Sequence, residues 1–278
     1  MEELARAQEL IEKIEAAARG AGEIMLSASD IARKTSEKEG HGNFVTEYDR
    51  RVQAYLFREL ERILPQAHFV GEEEGEECFR EEYRSGYTFV IDPIDGTANF
   101  LSGVRPSVTS IALLKDGAPW IGVIYNPYHQ LMLHALRGQG AFCNGERIFS
   151  SENDLAHSMV LFGTAPYYEG LQDLTFALAR RYMTLGMDIR RSGAAAWDLC
   201  QMALGVAGVF YELRLGLWDF AAGALIAGEA GCVLTDPEGN QLRFDGPSGL
   251  VAASAGVARE GNYLPAQVLG LSVKYNEN

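Results

Sequence analysis

Cysteine is scarce in this chain. Cys78, Cys143, Cys200 and Cys232 are the only four in 278 residues, and no two form a CxxC pair. Such spacing supports neither a disulfide framework nor a thiolate zinc site, so the thiols read as buried or idle. Histidine is nearly as rare. His41, His68, His129, His134 and His157 are scattered, with no Cys or His at ligand spacing, and read as structural or exposed. Positive charge is also short: 24 basic residues face 38 acidic ones, for a net charge of −14. That excludes a broad face for a polyphosphate backbone, so no nucleic-acid partner is expected. Small anions or cations remain open as ligands. No apolar run approaches the roughly 18 residues of a membrane span. The opening MEELARAQELIEKIE is charged throughout and lacks the apolar stretch of a signal peptide. A cytoplasmic location without membrane attachment is the expectation. What is present is ordinary globular material, 47% hydrophobic and 22% charged. At roughly 100–200 residues per domain, this length makes one large domain or two fused ones.

Periodicity divides the chain into halves. Leu4, Ala7, Ile11, Ile14, Ala18, Ala21 and Met25 keep a 3–4 spacing and predict an amphipathic helix. A polar loop follows over Thr35 to Asn43. Thr46 then opens a second helix, with Val52, Tyr55, Leu56, Leu60 and Ile63 on one face and Pro65 as its stop. Strands are predicted at His68–Gly71, Tyr87–Ile91, Ser107–Leu114, Trp120–Tyr125 and Gln130–Leu136, with a hairpin over Lys115–Pro119. This half reads as a largely antiparallel sheet. After Ser150–His157 the pattern alternates. Helices are predicted at Leu171–Leu185, Ala194–Leu204, Asp219–Ala230 and, more weakly, Val257–Leu269. Strands are predicted at Asp188–Arg191, Val206–Glu212, Cys232–Thr235 and Leu250–Ser254. The sum is helices, sheet, helices, sheet, helices, an α+β chain.

The chemistry concentrates in Ile91-Asp92-Pro93-Ile94-Asp95-Gly96-Thr97-Ala98-Asn99-Phe100. A β-run delivers Asp92 at its end, and Pro93 denies the backbone a helix there. Asp95 follows within the same turn, so both carboxylates can face one point. Hard cations such as Mg²⁺ take oxygen ligands, carboxylates and carbonyls among them. Asp92, Asp95 and the Ile94 carbonyl make half of such a cage. Gly96 and Thr97 offer backbone N–H groups that suit an anion. Two further acidic features are placed similarly. Gly71-Glu72-Glu73 ends a short strand, and Asp219 sits at a predicted helix start, where an anion is favoured. The remaining glutamates between Glu72 and Glu82 read as a solvated face.

These pieces resemble the inositol monophosphatase family of metal-dependent, lithium-sensitive phosphatases. The matching stretches are Val45–Asp49, Gly71–Glu73, Asp92–Phe100, Gly138–Gly145 and Trp218–Gly223, in the family's order and spacing. The resemblance covers roughly residues 5 to 255. It implies a layered αβαβα sandwich, as in inositol monophosphatase and fructose-1,6-bisphosphatase, with residues 1–278 forming a single phosphatase domain. Residues 1–150 would supply the N-terminal helices and antiparallel sheet, and 151–278 the second half. It implies Mg²⁺-dependent hydrolysis of a small phosphomonoester, most readily myo-inositol monophosphate, and a homodimer. Carried over by motif, Glu72, Asp92 and the Ile94 carbonyl would hold one metal, and Asp92, Asp95 and Asp219 a second. Thr97, with Glu72 or Glu73, would orient and deprotonate the attacking water. Thr46 and Asp49 match positions beside that threonine. The Gly96 and Thr97 N–H groups would hold the phosphate. Ala194 and Ala195 would offer a backbone surface to the substrate body, and Glu212 would meet a hydroxyl. Trp218 reads as core.

Rivals of the same fold are fructose-1,6-bisphosphatase, a nucleotide 3′-phosphatase and histidinol-phosphate phosphatase. The nucleotide branch typically carries a Lys after DGT, where this chain has Ala98. A regulatory binding protein is a different class of reading, since some bacterial relatives act in transcription complexes. Two departures from the family pattern stand out. Asn43 replaces a frequent aspartate, which affects any third metal and the loop above it, with Lys34 and Lys38. Arg214 adds a cation near Glu212 that could meet an anionic or larger substrate. Asp198 lies one turn into its helix and is a further hydroxyl-binding candidate.

Overall fold

The first apolar stripe becomes α1 (Glu2–Leu26), whose Ala7, Ile14, Ala18 and Ala21 are fully covered. The computed structural model describes residues 2–29, 31, 35–37, 44–74 and 81–270; Asn43, Lys34, Lys38, His41 and Cys78 lie outside them. Part of the expected polar loop is instead a strand. β1 (Thr35–Glu37) pairs antiparallel with β2 (Phe44–Thr46), Thr35 opposite Thr46. Three polar residues carry no alternation that would announce a strand. α2 (Glu47–Ile63) starts where Thr46 caps it. The Thr46 side chain accepts from the N–H groups of Tyr48 and Asp49, and Asp49 Oδ2 accepts the Thr46 N–H at 2.7 Å. This reciprocal capping box satisfies the free donors of the first turn. It also fixes the rotamer of Asp49.

A seven-stranded sheet follows, built from β3 (His68–Gly71), β4 (Tyr87–Asp95), β5 (Val108–Lys115), β6 (Ala118–Asn126), β7 (Leu131–Leu136), β8 (Gly140–Cys143) and β9 (Glu146–Ile148) in that spatial order. It is antiparallel except for the β3–β4 pair. The β5–β6 turn is tighter than Lys115–Pro119, because Lys115 and Ala118 already pair and Asp116 and Gly117 take positive φ. β8 and β9 had no counterpart among the predicted strands. β4 runs past Asp92 to Asp95, and its register against β5 shifts between those two residues. A bulge there lets Pro93 sit inside a strand, since no ladder donor is required of it. The short helix α3 (Thr97–Ser102) begins directly after, with Gly96 at φ +84°.

The second sheet orders as β11 (Asp188–Arg190), β10 (Met159–Phe162), β12 (Ala207–Leu215), β14 (Ser248–Ala253) and β13 (Val233–Thr235). β10 is parallel to both neighbours, and the β14 pairs are antiparallel, so the sheet is mixed. β10 was not predicted: its four residues, Met159–Phe162, are an unbroken apolar run without alternation. α4 (Gln172–Leu185) packs on its outer face, with α7 (Ala255–Glu260). The expected single helix over Val257–Leu269 is broken. Gly261 at φ +70° ends α7, and Pro265 opens α8 (Pro265–Val268), which is the Gly-stop and Pro-start asymmetry of helix ends.

Five layers result. α1 and α2 cover one face of the large sheet, where Phe89, Ile91, Ile111 and Leu113 meet them. α5 (Ala195–Ala203) and α6 (Leu217–Glu229) lie between the sheets. They touch Val90, Ala112 and Leu114 on one side and Phe210, Leu250 and Ala252 on the other. The alternate residues Val209, Tyr211, Val251 and Ala253 face α4 and α7. Period-2 strands thus fill two cores at once. α6 is apolar nearly all round because it is the middle layer. It approaches β6 closely: a Cβ at Gly122 would lie 2.8 Å from the Ala222 carbonyl oxygen. This is the layered αβαβα sandwich of an α+β chain.

Candidate active site

The bulged end of β4, the start of α3, the start of α5 and the start of α6 converge on one cleft of about 570 Å³. Carboxylate oxygens of Asp92, Asp95 and Asp219 lie within 4.8 Å of one another on its floor. Each is held by backbone N–H groups. Asp92 Oδ1 accepts from Ile94 at 3.0 Å, an Asx turn inside the bulge. Asp219 Oδ2 accepts from Gly216 at 2.7 Å. Asp219 is therefore not the first residue of its helix, as predicted, but the third: α6 begins at Leu217, and the aspartate turns back onto the residue before it.

Asp95 is gripped from across the molecule. Its carboxylate accepts from Ala195 at 3.2 Å, Ala196 at 2.8 Å and Trp197 at 3.3 Å, the first turn of α5. A helix N-terminus presents free donors and a positive dipole end, and here a protein carboxylate takes them. Ala194 and Ala195 do line the cleft, but the Ala195 N–H is engaged with Asp95. Sequence reasoning missed this contact, which joins residues 100 apart.

Burial and mutual repulsion dominate the electrostatics. Desolvation pushes Asp92 far above the usual carboxylate range, and the charges of Glu72, Asp95 and Asp219 push it further. Asp219 is raised likewise, by burial and then by Asp95 and Glu72. Asp95 is raised by burial, against the opposing effect of the α5 N–H groups. Three carboxylates this close, two of them buried and Asp219 half-buried, cannot all ionise without a cation. Their oxygen-only donor set fits a hard divalent ion. Glu72, in a single turn after β3, lines the same cleft. Glu73 is not among the lining residues, and its N–H donates to Gln53 Oε1 at 3.1 Å.

Thr97 stands beside the triad. Its Oγ1 lies 3.1 Å from Asp49 Oδ1 and 3.2 Å from the Ile94 carbonyl oxygen. The capping box orients Asp49 by its other oxygen, leaving Oδ1 for Thr97. Burial raises Asp49, against hydrogen bonds from Thr46 and Thr97. Gly96 needs its left-handed φ, and a Cβ there would also meet the Ala194 Cβ at 3.0 Å. Asn99 Nδ2 donates to the carbonyls of Pro106 and Ser192, tying the α3 turn to the approach to α5.

Glu212, on β12, lines the same cleft. It is buried, its Oε1 accepts the Ala165 N–H at 2.8 Å, and burial pushes it up to about 7. Gly163 makes room for it: a Cβ there would fall 1.8 Å from Glu212 Oε2. The loop carrying Gly163 and Ala165 had no predicted role, because its bond to Glu212 spans 47 residues with no local signal. Asp198 is buried on the same wall, raised by burial, and accepts from Gln201 Nε2 at 3.0 Å. Trp218 is half-buried and lines the cleft, where a core position was predicted.

Comparison with known proteins agrees with this fold. The sequence profile of the inositol monophosphatase family matches residues 6–269. Inositol monophosphatase 2 of Solanum lycopersicum is 35% identical over 251 residues, covering 89% of this chain and 94% of that protein. A putative Nus factor SuhB of Neisseria meningitidis is 33% identical, covering 80% and 85%. The solved structure of the extragenic suppressor protein SuhB of Bartonella henselae superposes with a TM-score of 0.83 at 31% identity, covering 94% of this chain and 98% of that one. No helix among the described residues is long and apolar enough to cross a membrane.

Proposed function

The chain belongs to the inositol monophosphatase family and is a phosphoric monoester hydrolase, and from that premise we propose that it hydrolyses a small polyol phosphate, myo-inositol monophosphate foremost, with Mg²⁺ as its ion. The observation carrying this reading is the Asp92, Asp95 and Asp219 triad in a cleft that Glu212 also lines. Asp92, Asp95 and Asp219 would hold one ion, and Glu72, Asp92 and the Ile94 carbonyl another. Bound there, the ion neutralises phosphoryl charge and makes water a better nucleophile.

The chain's own groups do the rest. Thr97 donates its hydroxyl proton to Asp49 Oδ1, which leaves lone pairs on Oγ1 to accept from the attacking water. Asp49, buried and raised, is a competent proton acceptor at the end of that relay. Glu72 faces the same cleft as a second base. The backbone at Gly96 and Thr97 faces the phosphate. Ala194 and Ala195 border the substrate body, and Glu212 accepts from its hydroxyls. A site built to pair with hydroxyls rejects ligands that lack them.

A phosphate-release screen over phosphomonoesters with Mg²⁺ tests this. Inositol monophosphates are expected to rank above p-nitrophenyl phosphate and nucleotides in kcat/KM. Uniform rates across the panel would contradict Glu212 as the hydroxyl reader. The likeness to a putative Nus factor supports a second, protein-binding role, for which pull-down from lysate is the check. Assembly as a homodimer is part of the same reading, and sedimentation measures it.

A further inference from the structure

Three of the four carboxylates that would hold metal are braced by backbone N–H groups: Asp92 by Ile94, Asp95 by the first turn of α5 and Asp219 by Gly216. The fourth, Glu72, stands on a less regular support. The β3–β4 ladder ends with Gly71 opposite Ile91, the residue before Asp92. The chain then leaves the sheet as a single three-residue turn, Glu72–Glu74, none of it buried. Such a turn makes few and poorly aligned internal bonds. Its carboxylate is therefore only as fixed as the contacts that hold the turn from outside. One of those contacts comes from α2. Gln53 is buried there, and its Oε1 accepts the Glu73 N–H at 3.1 Å. Gln53 follows Asp49 by four residues, so the two share a helix face. Asp49 Oδ1 meets Thr97 Oγ1 at 3.1 Å, and one face of α2 thus addresses both Thr97 and the Glu72 turn. Gly71 makes the room: a Cβ there would lie 2.7 Å from Gln53 Cδ and closer still to its Oε1. An amide oxygen takes the Glu73 N–H without adding another charge beside the acidic cluster.

We propose that Gln53 is a positioning residue: by holding the Glu73 N–H it fixes the turn that carries Glu72, and so sets the geometry in which Glu72 meets Mg²⁺. This rests on the phosphatase reading, in which Glu72 is a metal ligand. The bond is made at the residue next to Glu72, so a tilt of the turn moves the Glu72 carboxylate directly. Groups that orient a metal ligand from behind are typically worth about 10–100-fold in metal affinity. Gly71 is the other half of the device, because any side chain there would push the end of Gln53 off the turn. Its φ lies outside the left-handed region, so glycine is required at this position for space and not for conformation.

The test is calorimetric titration of Mg²⁺ into the metal-free protein, without substrate. Gln53→Met keeps the length of the side chain and removes the acceptor, and it should weaken Mg²⁺ binding about 10-fold. Gly71→Ala leaves Gln53 in the sequence but displaces its end, and it should weaken binding by a similar factor. Gln53→Glu keeps an acceptor oxygen and should stay within about 3-fold of the wild-type protein. In phosphate release, Gln53→Met should raise the half-saturating Mg²⁺ concentration about 10-fold and lower kcat at saturating Mg²⁺ by less than about 3-fold. Loss of folded protein would instead lower kcat and leave half-saturation in place. In a Glu72→Gln background, Gln53→Met should add less than about 2-fold, because the two act through one carboxylate. Wild-type Mg²⁺ affinity in both Gln53→Met and Gly71→Ala, or an undiminished effect of Gln53→Met in the Glu72→Gln background, would overturn the positioning role and leave the phosphatase reading standing. Unchanged Mg²⁺ affinity in Glu72→Gln itself would remove Glu72 from the metal site and overturn both.

Discussion

Glu212→Gln separates burial from chemistry in one residue. The carboxyl is buried between β12 and the Gly163–Ala165 turn, and its burial pushes it from 4.5 up to about 7. Its folded value therefore lies above its unfolded one. The native state binds more protons than the unfolded state between those values, so stability falls as pH rises. The full contribution is present below about pH 4.5 and is gone above about pH 7. A shift of about 2.5 units at 1.36 kcal/mol each is worth about 3 kcal/mol. The amide of glutamine keeps an oxygen to accept the Ala165 N–H and never ionises. Metal-free Glu212→Gln should therefore match the wild-type protein near pH 4.5 and exceed it by about 3 kcal/mol at pH 8. Urea unfolding of both proteins at pH 4.5, 6 and 8 reads this directly. Parallel curves, with no widening gap toward pH 8, would refute the burial argument. The same variant should lose about 10-fold in kcat/KM on inositol monophosphate and little on p-nitrophenyl phosphate.

Other expectations follow from the same contacts. Asp95→Asn and Asp219→Asn should each lower kcat by about 10²-fold with circular dichroism unchanged. Relief of repulsion should raise their metal-free melting temperature, and near-wild-type kcat at saturating Mg²⁺ would remove that residue from the site. Gly122→Ala should destabilise by about 1–3 kcal/mol, because the new methyl meets the Ala222 carbonyl of α6; an unchanged urea midpoint would show that α6 can shift away.

Local pattern carried much of this architecture. The 3–4 spacing of Ile11, Ile14, Ala18 and Ala21 gave α1 to within a few residues. Thr46 marked the start of α2, being a capping residue ahead of an apolar stripe, whereas its reciprocal bond with Asp49 emerged only in the structure. Asp92 and Asp95 were legible as a pair because a strand end followed by Pro93 holds them together. Contacts made only in three dimensions were not legible. The α5 grip on Asp95 joins two segments 100 residues apart, and three consecutive alanine and tryptophan N–H groups carry no chemical mark in a sequence. β9 is exposed and three residues long, so it lacks the alternation that betrays a strand. Glu73 looked equivalent to Glu72 in sequence. The single-turn helix after β3 puts the Glu72 side chain on the cleft wall, while the Glu73 backbone faces Gln53.

Metal reconstitution tests the central claim most directly, that the Asp92, Asp95 and Asp219 triad makes a cation site on which hydrolysis depends. Protein stripped with EDTA and dialysed should release no phosphate from myo-inositol monophosphate. Added Mg²⁺ should restore hydrolysis and raise the melting temperature, more at pH 8 than at pH 5.5, since deprotonated carboxylates bind the ion. Full activity in the presence of EDTA would contradict the account.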